Sequence, residues 1–136
     1  MKTDLSNKFV DSLIKKTLAG EIKWNLLPDQ LKIGGEAITD LLGTCEFHKV
    51  YFFESYFCTL SPGHVFLVSE LNESGRDSKY DTEGYNLYLQ VADGDPLVSV
   101  MFDTSDLYRL QNAIVAKLDI PQKTIEFMRE FIGENK

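Results

Sequence analysis

Apolar and polar residues alternate from Tyr85 to Val91, and this alternation constrains the fold more than any other feature of the sequence. After the turn sequence Ala92–Pro96, Val98, Val100 and Phe102 alternate with Leu97, Ser99 and Met101. Because successive side chains of a strand point to opposite faces, each segment predicts a β-strand with one apolar face. Asp93-Gly94 is typical of a hairpin turn, and the nearby proline indicates a connection longer than two residues. These two strands are therefore predicted to form a hairpin.

A second hairpin is predicted upstream of the first. His48 to Leu60 is rich in aromatic and β-branched residues, which strands favour. Ser61–His64 predicts a turn in which Pro62 presets one φ angle and Gly63 supplies a positive φ. Val65–Val68 follows at once as the partner strand. Four consecutive antiparallel strands form a meander that needs at least one covered face.

Helical spacing of apolar residues marks three further segments. An N-terminal helix is predicted before Gly20, with Asp4 or Ser6 as its N-cap. Two C-terminal helices are predicted after Asp103–Asp106 and at Pro121. The apolar stripes of the three helices are Phe9, Val10, Leu13, Ile14 and Leu18; Leu107, Leu110, Ile114 and Leu118; and Ile125, Met128, Phe131 and Ile132.

These elements together predict one α+β domain over residues 1–136. Its core is an antiparallel meander of four or slightly more strands, with the N-terminal helix and the two C-terminal helices packed on it. Residues 21–46 are harder to interpret, because Ala37–Leu42 fits either a short helix or a strand.

Charge and composition exclude several classes of function. Fourteen basic and 21 acidic residues give a net charge of −7, which repels phosphate backbones, so no nucleic-acid partner is expected. No apolar run is long enough for a membrane span or a signal peptide, and the chain has only two cysteines. The sequence therefore predicts a cytoplasmic protein without a membrane partner. Glycine-rich phosphate-binding motifs are missing, and no cofactor is expected.

Few residues of the sequence could support metal binding or nucleophilic catalysis. A zinc site would need Cys45, His48, Cys58 and His64, but only the first two have a short ligand spacing, so no metal is expected. Cys58 lies in an apolar strand that suppresses the thiolate. Several acidic residues lie in or beside the polar segment from Asn72 to Gly84, and they fit a solvated surface better than a cation site. They are Glu70, Glu73, Asp77, Asp81 and Glu83.

Aromatic residues on the strands suggest a binding surface. If helices cover only one sheet face, Tyr51, Phe53 and Tyr88 are candidates for contact with a partner on the other face. The opposing interpretation is that helices or residues 21–46 cover both faces. The first predicts a non-catalytic protein-interaction module that binds itself, as a homodimer, or another protein. Inhibition of a basic partner is one version of this function.

The alternative function is a small-ligand-binding protein or an enzyme. The polar segment from Asn72 to Gly84 is longer than an ordinary hairpin loop, and such loops are either functional or merely mobile. Under the functional interpretation it covers a pocket. The side chains predicted to converge there are His64, Glu70, Arg76, Asp77 and Tyr80.

Overall fold

The computed structural model describes residues 2–73, 82–100, 104–118 and 122–133. The helices are α1 (Lys2–Leu18), α2 (Ile38–Leu41), α3 (Thr104–Lys117) and α4 (Gln122–Ile132). The strands are β1 (Asn25–Leu26), β2 (Lys32–Ile33), β3 (Glu36–Ala37), β4 (His48–Val50), β5 (Tyr56–Leu60), β6 (Gly63–Asn72), β7 (Thr82–Gln90) and β8 (Val98–Val100). The predicted α+β class is confirmed.

Six of the strands form one antiparallel sheet in the order β1-β5-β6-β7-β8, and β4 pairs with the far end of β6. The segment β5 to β8 is the predicted meander, since consecutive strands are neighbours. Strands β1 and β4 enlarge it, while β2 and β3 form a separate two-stranded ribbon. Of the two conformations considered for Ala37–Leu42, the structure has a short helix, α2, directly after β3.

The prediction of one strand from His48 to Leu60 is wrong, because the chain leaves the sheet between β4 and β5. Phe52–Glu54 forms a single 3-10 turn. The Ser55 hydroxyl takes over part of the strand pairing, accepting from the Ser69 amide at 3.0 Å and donating to the Tyr51 carbonyl at 2.8 Å. This excursion divides one aromatic-rich run into two short strands along the same edge of β6.

Both ends of the predicted 72–84 loop lie in strands. Pairing of β6 with β7 continues to Asn72↔Thr82, so Thr82–Gly84 belong to a strand. Residues 74–81, with Arg76, Asp77, Tyr80 and Asp81, lie outside the described part of the chain.

Both faces of the sheet are covered, each by a different part of the chain. Helices α1 and α3 pack together on one face, over a core that includes Leu13, Leu67, Leu87 and Leu110. Residues 27–42 cover the other face, and their contribution to the second core is Leu27, Ile33, Ile38 and Leu42. The interpretation in which helices or residues 21–46 cover both faces of the sheet is therefore correct.

Helix α1 begins at Lys2, so Asp4 and Ser6 lie inside it rather than at its cap. Its end is as expected: Gly20 has φ of 78°, and the Glu21 amide donates to the Lys16 carbonyl at 2.9 Å. Leu18 is exposed and does not extend the stripe. Thr17 is buried in its place and accepts a hydrogen bond from Trp24 Nε1 at 2.9 Å.

Gly63 closes the β5–β6 turn for a reason other than the one predicted. It is not among the glycines with positive φ. A β-carbon at this position would contact the Gln90 carbonyl oxygen and lie 2.8 Å from that of Val91. The turn needs glycine because the end of β7 passes directly beside it.

Candidate functional site

Glu70 is the most deeply buried acidic residue that the structure describes, at 2% exposed. It lies on β6 and faces the second core. Tyr88 donates its hydroxyl to both carboxylate oxygens, at 2.8 and 3.0 Å. Asn86 Nδ2 donates to Oε1, and His48 Nε2 lies 2.6 Å from Oε2. These four residues form the Glu70 cluster.

Strand register brings the cluster together. Val50 of β4 pairs with Glu70, and His48 lies two residues before it on the same face. On β7, Asn86 pairs with Val68, which lies two residues from Glu70 on the same face. Alternate residues of paired strands share a face, so three donors from two flanking strands reach one central carboxylate.

Both ring nitrogens of His48 lie next to acceptors. Nδ1 is 3.2 Å from the Gly43 carbonyl oxygen, and Nε2 contacts the Glu70 carboxylate. Burial alone lowers the pKa of His48, but the hydrogen bonds to Glu70 and Gly43 and the charge of Glu70 outweigh it, so the pKa is raised above 6.5. The imidazolium is the form that this arrangement stabilises.

Tyr88 is held in its neutral form. Burial raises the pKa of its phenol, and the hydrogen bond and charge of Glu70 raise that pKa further. The Tyr88 hydroxyl, the Asn86 amide and His48 Nε2 all point at one carboxylate. The cluster ties β4 and β7 to β6, and its carboxylate is already engaged by three side chains.

A cavity of about 230 Å³ lies beside the cluster, at the base of the 72–84 segment. Its lining includes Glu70, Asn72, Thr82 and Asn86. Of the side chains predicted to converge on a pocket, Glu70 lines this cavity, and Arg76, Asp77 and Tyr80 lie outside the described residues. The volume is below the roughly 300–1,000 Å³ of ordinary ligand pockets.

His64 does not converge with Glu70, and this part of the prediction is wrong. The two residues are six positions apart on the same strand, roughly 20 Å at the rise of an extended chain. His64 Nε2 lies 2.8 Å from Asp93 Oδ1, and Nδ1 lies 3.1 Å from Thr59 Oγ1. Its contacts belong to the opposite end of the sheet.

The aromatic sheet face is not open either. Tyr88 is half-buried and packs against the second core, so its predicted role as an outward-facing contact is wrong. Tyr51 is also half-buried. Phe53 alone of the three projects outward, at 72% exposed, with its ring centroid 6.0 Å from that of Tyr51. The segment 27–42 occupies the space that a partner was expected to fill.

The cysteines and histidines do not assemble a metal site in the described ranges, where no group of three or more His, Cys, Asp or Glu side chains is placed to hold an ion. Cys45 is exposed and Cys58 is buried, and both are free thiols. Burial raises the pKa of Cys58 to about 12, as its apolar strand predicted. Across the same ranges, no helix combines the length and apolar character that crossing a bilayer requires.

Helix α4 presents a surface that the sequence had assigned to the core. None of its described side chains is buried, although its apolar residues follow helical spacing. Phe131 is 84% exposed and Phe127 is 69% exposed. We call this surface the α4 apolar face; its residues are Ile125, Phe127, Met128, Phe131 and Ile132. The amphipathic pattern was visible in the sequence, but the pattern does not say which molecule covers it.

A groove of about 750 Å³ opens at the end of α3, beside the edge strand β1. Its apolar lining includes Trp24, Leu26, Phe57 and Leu118. Leu26 is an exposed residue of β1. We call this feature the Trp24 groove.

Comparison of the chain with protein-family models, with curated proteins and with solved structures finds no match.

Proposed function

We propose that this chain is a non-catalytic protein-interaction module and that the α4 apolar face is its contact surface. The exposure of Phe131, at 84%, is the observation that carries the proposal. Covering apolar surface is favourable by about 25 cal/mol per Å², so a continuous exposed face of this kind favours association. Large apolar patches on soluble domains mark interaction sites.

A protein partner fits this face better than a membrane or a nucleic acid does. Helices that lie on membrane surfaces are rich in Lys and Arg, whereas the charged residues of α4 balance: Lys123 and Arg129 against Glu126 and Glu130. The net charge of −7 also disfavours anionic lipid and phosphate backbones. The partner is a second copy of this chain or another protein, and inhibition of a basic partner is one form of this function.

A reducing compartment suits the chain. Cys45 is exposed and Cys58 is buried, and neither forms a disulfide. Exposed free thiols persist in the cytoplasm, which we propose as the location.

Site-specific photo-crosslinking in living cells tests the proposal. Benzoylphenylalanine at position 131 lies on the α4 apolar face, and the same probe at position 126 lies on the polar side of the same helix. We expect discrete adducts from position 131, with this chain or another protein identified by mass spectrometry, and none from position 126. The proposal is overturned if neither position gives adducts, or if both give the same ones.

The cavity beside the Glu70 cluster supports a second candidate function, binding of a small polar ligand. Its polar lining and buried carboxylate favour a compact cationic group such as an amine. Its small volume and the engaged state of Glu70 make it the weaker candidate. NMR titration with small amines tests it: shifts confined to residues 70–72 and 82–86 would support ligand binding, and unchanged spectra would remove it.

A further inference from the structure

We infer that the α4 apolar face binds the Trp24 groove of a second copy of this chain, and that the second copy returns the same contact. This inference rests on the proposed function and names the partner. The helix face and the groove are both uncovered in the same molecule. Their shapes are complementary, because α4 is a convex apolar ridge and the groove is an apolar concavity.

The lining of the groove is suited to aromatic side chains. Two aromatic residues, Trp24 and Phe57, and two leucines, Leu26 and Leu118, line it. Phe127 and Phe131 lie one turn apart on α4, at the spacing with which helices anchor in grooves. Two rings at this spacing can enter the groove together.

Charge favours a second copy of this acidic chain as the occupant. The charged residues lining the groove are Lys23 and Lys117, and the described lining contains no acidic residue. Glu130 lies three residues from Phe127, on the flank of the α4 apolar face, and can reach the rim of the groove. Such a rim pair orients the helix more than it adds affinity. In a chain of net charge −7, a groove whose described charged residues are both lysines also offsets the repulsion between two copies.

The available area favours two contacts over one. With aromatic side chains burying 150–250 Å² each, the α4 apolar face offers roughly 450 Å². One helix in one groove would then bury about 900 Å² in total, below the roughly 1,200 Å² of stable interfaces. A reciprocal pair would bury about 1,800 Å², within the standard range. A symmetric dimer related by a two-fold axis provides that pair.

Sedimentation velocity of the full chain over a range of concentrations tests the inference. We expect the wild-type protein to form a dimer, and Phe131→Glu and Leu26→Glu each to raise its Kd at least about tenfold. Both sites are exposed, so both variants should fold, which circular dichroism checks. The matched control is Val91→Glu, an exposed apolar residue outside α4 and the groove, which should leave the dimer unchanged.

Mixing the two variants distinguishes helix-in-groove docking from other dimers. A Phe131→Glu chain keeps its groove and a Leu26→Glu chain keeps its helix, so the mixture should recover one of the two contacts and form a heterodimer weaker than the wild-type dimer. A dimer that Leu26→Glu leaves intact would overturn the inference in favour of α4 packing on α4. Cosedimentation of the wild-type chain, but not Phe131→Glu, with phosphatidylcholine–phosphatidylserine vesicles would overturn it in favour of a lipid surface.

Failure of the inference and failure of the proposed function give different results. A wild-type chain that stays monomeric at every concentration overturns docking to a second copy. If position 131 still crosslinks to a different protein, the interaction module remains and only its partner changes. If position 131 crosslinks to nothing, both fail.

Discussion

His48 Nε2 lies 2.6 Å from Glu70 Oε2, and the two side chains are 16% and 2% exposed. The pKa of His48 is raised above 6.5 in the folded chain. The imidazole of His48 therefore binds a proton more tightly in the folded chain than in the unfolded chain. The resulting stabilisation is complete below about pH 6.5 and is lost as pH rises through the folded pKa. We therefore expect the free energy of unfolding, measured with urea, to fall as the pH rises from about 6.5 through the raised pKa of His48.

Two variants identify the source of this pH dependence. Glu70→Gln removes the charge that favours the imidazolium, so the decrease above pH 6.5 should disappear. His64→Gln removes the other histidine and should leave the decrease in place. A slope that persists in Glu70→Gln and vanishes in His64→Gln would show that the pair is misassigned.

Tyr88→Phe should destabilise the chain without altering its secondary structure. The variant removes the hydroxyl that donates to Glu70 at 2.8 and 3.0 Å, and a hydrogen bond to a charged group contributes about 1.5–3 kcal/mol. Tyr108→Phe is the control, because that residue is exposed. Equal urea midpoints for the two variants would contradict the role of Tyr88 in the Glu70 cluster.

Gly63→Ala should lower the free energy of unfolding by about 1–3 kcal/mol, the range for forcing extra atoms into a packed site. The added β-carbon would press against the backbone of Gln90 and Val91, which cannot rotate away as a side chain can. Ser61→Ala alters an exposed residue of the same turn and should have little effect. Thermal unfolding of both variants would measure the difference, and equal stabilities would mean that β7 lies farther from the turn.

The two cysteines should differ sharply in reactivity. Cys45 is exposed, whereas burial raises the pKa of Cys58 to about 12. A thiol-reactive chromogenic disulfide should modify Cys45 in the folded chain and both cysteines in denaturant, since the thiolate is the nucleophile. Cys45→Ser should abolish the reaction of the folded protein. Rapid modification of Cys58 in the folded chain would contradict its place in the core.

Local periodicity accounts for the parts of the fold that were predicted correctly. The stripe Leu107, Leu110 and Ile114 is buried as α3, and Leu87 lies in the first core as alternation predicted. These positions follow from the repeat of each element, which neighbouring residues alone determine. The interruption at Ser55 depends instead on hydrogen bonds to Ser69, which is distant in sequence.

The candidate site was predictable only in part, for the same reason. Tyr88 was named as a contact residue and Glu70 as a pocket residue, yet their hydrogen bond follows from strand register. The second face of the sheet is covered by residues 27–42, a segment with no clear period. For α4, the apolar spacing gave the helix correctly, but the same spacing is compatible with an internal or an external partner.

The dependence of the unfolding midpoint on protein concentration tests most directly whether a second copy covers the α4 apolar face. Binding that requires the folded chain stabilises it by mass action, so the midpoint of a dimer rises with concentration. We predict a rising thermal midpoint for the wild-type chain, and a midpoint independent of concentration for Phe131→Glu that matches the wild-type value at high dilution. A wild-type midpoint that does not change with concentration would contradict the account.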